Sequence, residues 1–162
     1  MSHGATDREL AHVTATVKPK DGWVGRFRSW LPYLVWGVAL AATVGSLILS
    51  DLMHLIPCVL CWWQRIFMYP LVAIVGVGIL RRDDTWVYTA LPLAGVGLAV
   101  AIFHSLLQWG IIPAEISPCN AIVSCATKQI SLLGFVTIPF VSALSFAIIV
   151  GGTVVIMRSR PR

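Results

Sequence analysis

Four cysteines form two close pairs that can carry thiol–disulfide chemistry. The first pair, Cys58 and Cys61, is a C-x-x-C motif, and Pro57 before it fits the start of a helix. At a helix N-terminus the thiol pKa in such motifs falls to roughly 3.5–7.5, so the thiol exchanges readily and its disulfide is oxidising. Five residues separate the second pair, Cys119 and Cys125, which can close a small ring. The sequence therefore predicts two redox-capable pairs.

Arg65 is the one charged residue inside an apolar stretch that begins at the C-x-x-C motif. It follows Cys61 by four residues, which places it one helical turn, about 6 Å, deeper on the same side of the helix. An arginine at mid-span costs about 2.5–3.5 kcal/mol, so we expect an anionic or polar partner. The Cys61 thiolate, a lipid phosphate and a carbonyl oxygen of a bound redox molecule are the candidates. The alternative is an interfacial arginine that extends to lipid.

His104 and Gln108 lie one helical turn apart near the end of a later apolar stretch. Either side chain could donate a second hydrogen bond to a bound redox molecule. For His104, a hydrogen bond between helices is an equally good interpretation. We name Arg65, His104 and Gln108 as the candidate cofactor-binding residues.

The composition indicates that these residues are positioned by membrane-spanning helices. The chain is 57% hydrophobic and 12% charged, with a mean hydropathy of +0.83, which excludes an ordinary water-soluble protein. A bilayer core of about 30 Å needs roughly 20 apolar residues in a helix. Four stretches meet that need, at residues 30–50, 58–80, 85–108 and 132–157. Because the connections are short, we predict an all-α integral membrane protein with a four-helix transmembrane bundle.

Basic residues predict how this bundle is oriented. Five Lys and Arg residues lie in 1–29, two in 81–84 and three in 158–162, whereas Lys128 is the only one in the other two connections. The positive-inside rule therefore places both termini in the cytoplasm, with a lead at 1–29 and a basic tail at 158–162. All four cysteines then lie on the outer face, where disulfides persist. The pI near 9.4 does not predict a nucleic-acid partner, because no basic stretch alternates with aromatic residues that could stack on bases.

The absence of cysteines on the inner side limits where electrons can go. A protein that carries reducing equivalents outward from cytosolic thiols needs thiols on both sides, and this sequence has them on one. Electrons must therefore enter or leave laterally, through a small carrier dissolved in the lipid. A quinone fits, since its carbonyl oxygens gain charge that Arg65 could stabilise. No His–Met pairing typical of haem and no flavin fingerprint is present.

The run P-C-V-L-C-W-W-Q-R at 57–65, followed by I-F-M-Y-P, resembles the disulfide bond formation protein B (DsbB) family. The run G-F-V-T-I-P-F at 134–140 and the close spacing of the second pair are most similar to the BdbC-like branch of Gram-positive bacteria. The resemblance covers about 30–157. It implies a thiol:quinone oxidoreductase of the bacterial inner membrane that uses menaquinone or ubiquinone. Its implied partner is an extracytoplasmic thioredoxin-fold disulfide oxidase, DsbA/BdbD-like, and its remaining contacts are with membrane lipid.

The resemblance also implies a role for each candidate residue. Cys58 and Cys61 match the quinone-proximal pair, Cys119 and Cys125 match the partner-facing pair, and Arg65 matches the quinone-site arginine. We expect Cys61 to be the thiolate that faces the quinone and Cys58 to exchange with the second pair. We expect Cys119 to form the mixed disulfide with the partner.

Three other interpretations compete with this one. The four cysteines could supply a thiolate shell for zinc, but C-x-x-C with C-x5-C is looser than usual finger spacing and an outer face favours disulfides, so we predict no metal. A structural membrane subunit with two stapling disulfides leaves Arg65 unexplained. A vitamin K epoxide reductase-like enzyme would carry its C-x-x-C after the loop cysteines, whereas here the motif precedes them.

Overall fold

The computed structural model describes residues 22–54, 57–113, 119, 125, 131–132 and 136–159. In chain order the elements are α1 (Gly22–Leu47), a π-helical turn (Ile48–Leu52), α2 (Val59–Arg81), α3 (Trp86–Gln108), β1 (Ser131–Leu132), β2 (Val136–Thr137) and α4 (Ile138–Arg158). Four helices are long and apolar enough to cross a membrane. The predicted helical multi-pass class is therefore confirmed, and the strands in the described part of the chain are a single two-residue antiparallel pair.

Two helix boundaries differ from the predicted spans. The fourth helix begins at Ile138 rather than at residue 132, because Ser131 and Leu132 pair with Thr137 and Val136 in the β ladder. Pro139 lies in the first turn of α4, where a residue without a backbone N–H costs nothing. At the other end, α1 already begins at Gly22, within the stretch predicted as a polar lead. The rest of that lead, residues 1–21, and the last residues of the basic tail, 160–162, lie outside the described residues.

The four helices form a ring in which each packs against its two neighbours. Helix α1 contacts α2 and α4, and α3 contacts the same two helices from the far side. Their shared core is fully buried and contains Val35 from α1, Leu71 from α2, Ala94 from α3, and Phe146 and Ile149 from α4. Helices that are apolar on all sides belong in lipid, where their outward side chains face acyl chains.

A glycine on α3 allows a side chain of α4 to pack directly against the α3 backbone. A Cβ atom on Gly97 would lie 2.3 Å from the ring of Phe146, so a larger residue there would require the Phe146 side chain or the helix that carries it to move. Helices α1 and α2 are joined by Trp36, whose Nε1 donates to the carbonyl of Val72 at 3.1 Å. Because consecutive helices alternate in direction, the starts of α2 and α4 and the ends of α1 and α3 all meet at one end of the bundle.

Candidate thiol–disulfide site

The C-x-x-C motif lies at the start of α2. Cys58 is the N-cap residue, with extended backbone angles, and its Sγ accepts a hydrogen bond from the backbone N–H of Cys61 at 3.4 Å. The two Sγ atoms are 2.9 Å apart, whereas a disulfide bond measures about 2.05 Å, so this pair is in the thiol state. Cys58 is buried and Cys61 is half-buried.

The second pair is joined, as a disulfide between Cys119 and Cys125 whose Cα atoms are 5.9 Å apart. Cys125 is 1% exposed and packs in one apolar cluster with Cys58, Leu60 and Leu107. The Sγ atoms of Cys58 and Cys125 lie within 4.8 Å of each other and of a ring nitrogen of His104. The fold therefore brings the two predicted pairs together, with Cys125 facing Cys58.

His104 holds this contact with both of its ring nitrogens. Its Nε2 lies 3.2 Å from the carbonyl oxygen of Cys125 and 3.8 Å from the Sγ of Cys58. Its Nδ1 lies 3.0 Å from the side-chain nitrogen of Gln64. A carbonyl can only accept, so Nε2 carries the proton and donates to it, while the Gln64 amide donates to Nδ1. We call Cys58, Gln64, His104 and Cys125 the thiol junction.

The donors around Cys58 determine which sulfur carries negative charge. The Cys61 backbone N–H donates to the Cys58 Sγ, and the Cys61 Sγ lies 2.9 Å from it. The Nε2 of His104, whose N–H donates to the Cys125 carbonyl, also lies 3.8 Å from this sulfur and makes a longer, shared contact with it. Their hydrogen bonds, that of the Cys61 thiol foremost, hold the pKa of Cys58 below its ordinary value, although burial acts in the opposite direction. We expected the thiolate on Cys61; the described donors favour Cys58 instead, because Cys58 is the cap residue and its sulfur receives the backbone N–H of Cys61.

A cavity of about 540 Å³ lies between α1, α2 and the start of α4. Cys61 lines it, and so do Gln64 and Arg65, whereas Cys58 and Cys125 are not part of its described lining. Most of its wall is apolar, with Ala42, Gly45, Leu49, Met53, Met68 and Val141. Its volume falls in the range of small-molecule sites, about 300–1,000 Å³. We call it the α1–α2–α4 cavity.

Arg65 is held at this cavity by the end of α1. Its Nη2 donates to the carbonyl of Ser46 at 2.9 Å and to the hydroxyl of Ser50, which belongs to the π-helical turn. The guanidinium carbon lies 5.5 Å from the centroid of the Trp62 ring, within cation–π range. The polar partner that the sequence demanded is thus supplied partly by α1. Arginine has five N–H donors, and the described bonds use those of Nη2.

Two buried hydroxyl groups in the cavity wall make no hydrogen bond within the described part of the chain. They are the hydroxyl oxygens of Tyr69 and Thr137. A buried polar group without a partner costs about 1–3 kcal/mol, so both indicate a missing acceptor or donor. Apolar walls, an arginine and two hydroxyls fit a quinone, which has a flat apolar ring and two carbonyl acceptors. Gln64, Tyr69 and Thr137 were not among the residues predicted from the sequence; for Tyr69, the four-residue spacing from Arg65 was an available signal.

The other two residues predicted to bind a cofactor lie elsewhere. His104 belongs to the thiol junction, and neither it nor Gln108 is among the described residues that line the α1–α2–α4 cavity. The Oε1 atom of Gln108 is buried and makes no hydrogen bond to any described residue. Cys58, His104 and Cys125 also have the spacing of metal ligands, but the Cys125 sulfur is bonded to Cys119 in this state.

Comparison with known proteins identifies the family. The family model for "Disulfide bond formation protein DsbB" matches residues 28–156. The chain is 42% identical to "Disulfide bond formation protein C" of Bacillus subtilis, over 73% of this chain and 86% of that one. It is 45% identical to a "Probable disulfide formation protein" of Deinococcus radiodurans, over 72% and 82% of the two chains. No solved structure matches significantly. The chain therefore belongs to the DsbB family of disulfide bond formation proteins, and its relatives include the C-type (BdbC) proteins of Bacillus.

Proposed function

We propose that this protein is a quinone-dependent thiol oxidase that reoxidises an extracytoplasmic thioredoxin-fold disulfide donor. The observation that carries the proposal is the position of the C-x-x-C motif between two different neighbours. Cys58 lies within 4.8 Å of Cys125, a member of the loop disulfide, while Cys61 lines the α1–α2–α4 cavity. Electrons that arrive at the loop pair thus have a covalent route to a site open to a small molecule. Membership of a disulfide-forming family supports the thiol chemistry.

The distribution of charge supports an orientation with the cysteines outside the cytoplasm. Arg81, Arg82 and Arg158 lie at the ends of α2 and α4, opposite the end that holds the C-x-x-C motif. Cytoplasmic ends of membrane helices carry an excess of Lys and Arg. In a bacterial inner membrane the thiol site would then meet the oxidising side, where its partner protein needs its disulfide restored.

The first exchange is between the partner and the loop pair. A thiolate of the reduced partner attacks the Cys119 sulfur, the Cys119–Cys125 bond breaks, and Cys125 leaves as a thiolate. The second thiol of the partner then attacks the partner sulfur that is bonded to Cys119. This reaction forms the partner's disulfide and releases Cys119. The partner leaves with a disulfide. Its two electrons now reside on the reduced loop pair, and its two protons have passed to the Cys119 and Cys125 thiols or to the surrounding water.

The second exchange passes these electrons to the C-x-x-C pair. The Cys125 thiolate attacks Cys58 of an oxidised Cys58–Cys61 pair, and Cys61 leaves as a thiolate. Cys119 then attacks Cys125, restores the loop disulfide and releases Cys58. This step would leave the loop pair joined and the C-x-x-C pair free, which is the pairing that the structure has. The hydrogen bonds to Cys58 stabilise it as the leaving thiolate.

A bound quinone, menaquinone or ubiquinone, would accept two electrons and two protons from the C-x-x-C pair. Arg65 would hold a carbonyl oxygen and stabilise negative charge on it, since an arginine in a low-dielectric site acts strongly on developing charge. Cys61 would face the ring, because it is the member of the pair that lines the cavity. Apolar side chains such as Leu49 and Met68 would exclude water from the ring.

The test is purification of the protein in mild detergent, followed by assays of bound quinone and zinc and by turnover with a reduced thioredoxin-fold partner. We expect co-purified quinone, no stoichiometric zinc, and one quinone reduced for each partner disulfide formed. Cys58→Ser/Cys61→Ser protein serves as the control and should bind quinone without reducing it. Stoichiometric zinc in place of quinone, or partner oxidation that continues in that control, would contradict the proposal.

A further inference from the structure

The α1–α2–α4 cavity has a polar group on a second wall, away from Arg65. Thr137 is 1% exposed, lines the cavity, and its hydroxyl makes no hydrogen bond within the described residues. We propose that Thr137, together with the first turn of α4, binds the second carbonyl oxygen of the quinone, while Arg65 binds the first. This inference rests on the proposed function, since it assumes that the cavity takes a quinone.

The local structure leaves the Thr137 hydroxyl available for a ligand. Thr137 is the N-cap residue of α4, a position where a threonine side chain usually accepts a hydrogen bond from a backbone N–H of the first turn. Here it makes no such bond, and one of the usual donors is missing because the residue two positions later is Pro139. The backbone of Thr137 is nevertheless fixed, since it pairs with Ser131 in the β ladder. A hydroxyl that is held in place and has no partner in the described part of the chain can form a hydrogen bond with a ligand.

The start of α4 adds an electrostatic contribution to this wall. Ile138 and Pro139 line the same cavity, so the first turn of a 21-residue helix faces it. A helix N-terminus carries about half a unit of positive charge, and its first N–H groups have no partner inside the helix. An oxygen bound to Thr137 would gain this stabilisation when it becomes more negative. Arg65 on α2 and Thr137 at α4 come from different walls, which suits a ring that has an oxygen at each end.

The experiment measures binding rather than turnover. Protein with both cysteine pairs oxidised is titrated with decylubiquinone, whose fully substituted ring does not alkylate thiols, and the dissociation constant is read from quenching of tryptophan fluorescence. Trp62 lies beside Arg65 and serves as an intrinsic reporter. The melting temperature without quinone is measured for every variant. We expect Thr137→Val to raise the dissociation constant about tenfold, as for the loss of one hydrogen bond. Its quinone-free melting temperature should be equal or higher, because an unpaired hydroxyl has been removed.

Two further comparisons separate ligand binding from folding. The dissociation constant of Thr137→Ser for decylubiquinone should lie within about twofold of the wild-type value, and that of Thr137→Ala should be about tenfold higher. These two variants differ in the hydroxyl group, so they measure its contribution even if the valine variant does not fold. Thr43→Val is the matched control, because the Thr43 hydroxyl is also buried and unpaired among the described residues but does not line the cavity. It should bind as wild type does.

The outcomes distinguish this inference from the proposed function. Saturable binding by wild type with the same dissociation constant in Thr137→Val and Thr137→Ala would overturn the role of Thr137 and leave the quinone cavity standing. No saturable binding by wild type would overturn the quinone cavity itself, and the inference with it. A lower quinone-free melting temperature and equal loss of binding in the serine and alanine variants would assign Thr137 to folding and reject the inference.

Discussion

The two neighbours of the C-x-x-C motif differ in how completely their polar groups are paired. In the thiol junction, both His104 ring nitrogens have partners, and the junction is closed by packed side chains such as Leu60 and Leu107. In the α1–α2–α4 cavity, the hydroxyls of Tyr69 and Thr137 make no hydrogen bond to any residue that the structure describes. Among the described residues the polar groups of the junction are therefore paired, and the cavity is the region in which we propose a bound ligand.

One short motif can serve both regions because of helix geometry. Three residues advance a helix by slightly less than one turn, so Cys58 and Cys61 stay within reach of each other while facing different neighbours. Cys58 is the cap residue and faces α3, where it meets His104. Cys61 is inside the helix and faces the cavity beside Arg65. A disulfide between them would connect an exchange between proteins to a reaction with a small molecule.

The largest expected effect comes from replacing either sulfur of the C-x-x-C motif. Cys58→Ser and Cys61→Ser should each abolish turnover of partner thiols, a loss of several orders of magnitude, because each removes a sulfur that must form a bond. Of the two sulfurs, only that of Cys58 should be able to form a disulfide with the loop residue Cys125. In a Cys61→Ser/Cys119→Ser protein we expect a Cys58–Cys125 disulfide, which peptide mass spectrometry detects. The Cys58→Ser/Cys119→Ser protein is the control, and an equally abundant Cys61–Cys125 disulfide there would refute the difference between the two sulfurs.

A smaller but still large effect is expected at the cavity. Arg65→Gln should raise the KM for quinone about 10- to 100-fold, since a hydrogen bond to a charged group contributes about 1.5–3 kcal/mol, and kcat should fall as well. Arg65→Lys should lose less, because it keeps the charge but not the planar fork. Steady-state quinone reduction with reduced partner measures both. Arg81→Gln, at the far end of α2, should leave the KM for quinone unchanged. An unchanged KM in Arg65→Gln would limit Arg65 to its structural contacts with Ser46 and Ser50.

A moderate effect is expected at the thiol junction, and it depends on pH. The Cys58 pKa is lowered, so its thiolate is present at neutral pH and is lost as the pH falls through that lowered value. His104→Ala removes one donor and should move this loss to higher pH, by about one unit or less because the contact is long. Titration of thiolate absorbance at 240 nm measures the shift. The control is His54→Ala, since His54 is exposed in the connection before the motif, and an equal shift there would exclude a specific role for His104.

The smallest expected effect concerns the second unpaired hydroxyl. Tyr69→Phe removes a single neutral donor from the cavity wall and should raise the KM for quinone about two- to fivefold. The thiol junction should be unaffected, so the rate at which the loop pair reduces the C-x-x-C pair should stay the same. Tyr33→Phe is the matched control because Tyr33 is exposed on α1 outside the cavity. A slower exchange between the loop pair and the C-x-x-C pair in Tyr69→Phe would mean that the thiol junction and the cavity do not act independently.

Local sequence features were sufficient to predict the helices and to single out the candidate site residues of the C-x-x-C motif. The length and apolar character of the four stretches require helices in lipid, because a helix pairs its backbone groups internally. The C-x-x-C motif and Arg65 could be recognised from neighbours within one helical turn, since a spacing of three or four residues fixes the relative position of side chains on a helix. Those predictions needed no knowledge of how the helices pack.

Contacts between distant segments were decided only by the tertiary structure. The two described helices α2 and α3 lie between Cys58 and Cys125 in sequence, and His104 meets Gln64 across 40 residues. The roles of His104 and Thr137 depend on these contacts: the first joins the thiol junction, and the second is freed by the late start of α4 at Ile138. A single sequence carries no periodic signal for such pairs, because their proximity arises from which helix faces pack together and from where the connecting chain re-enters the bundle.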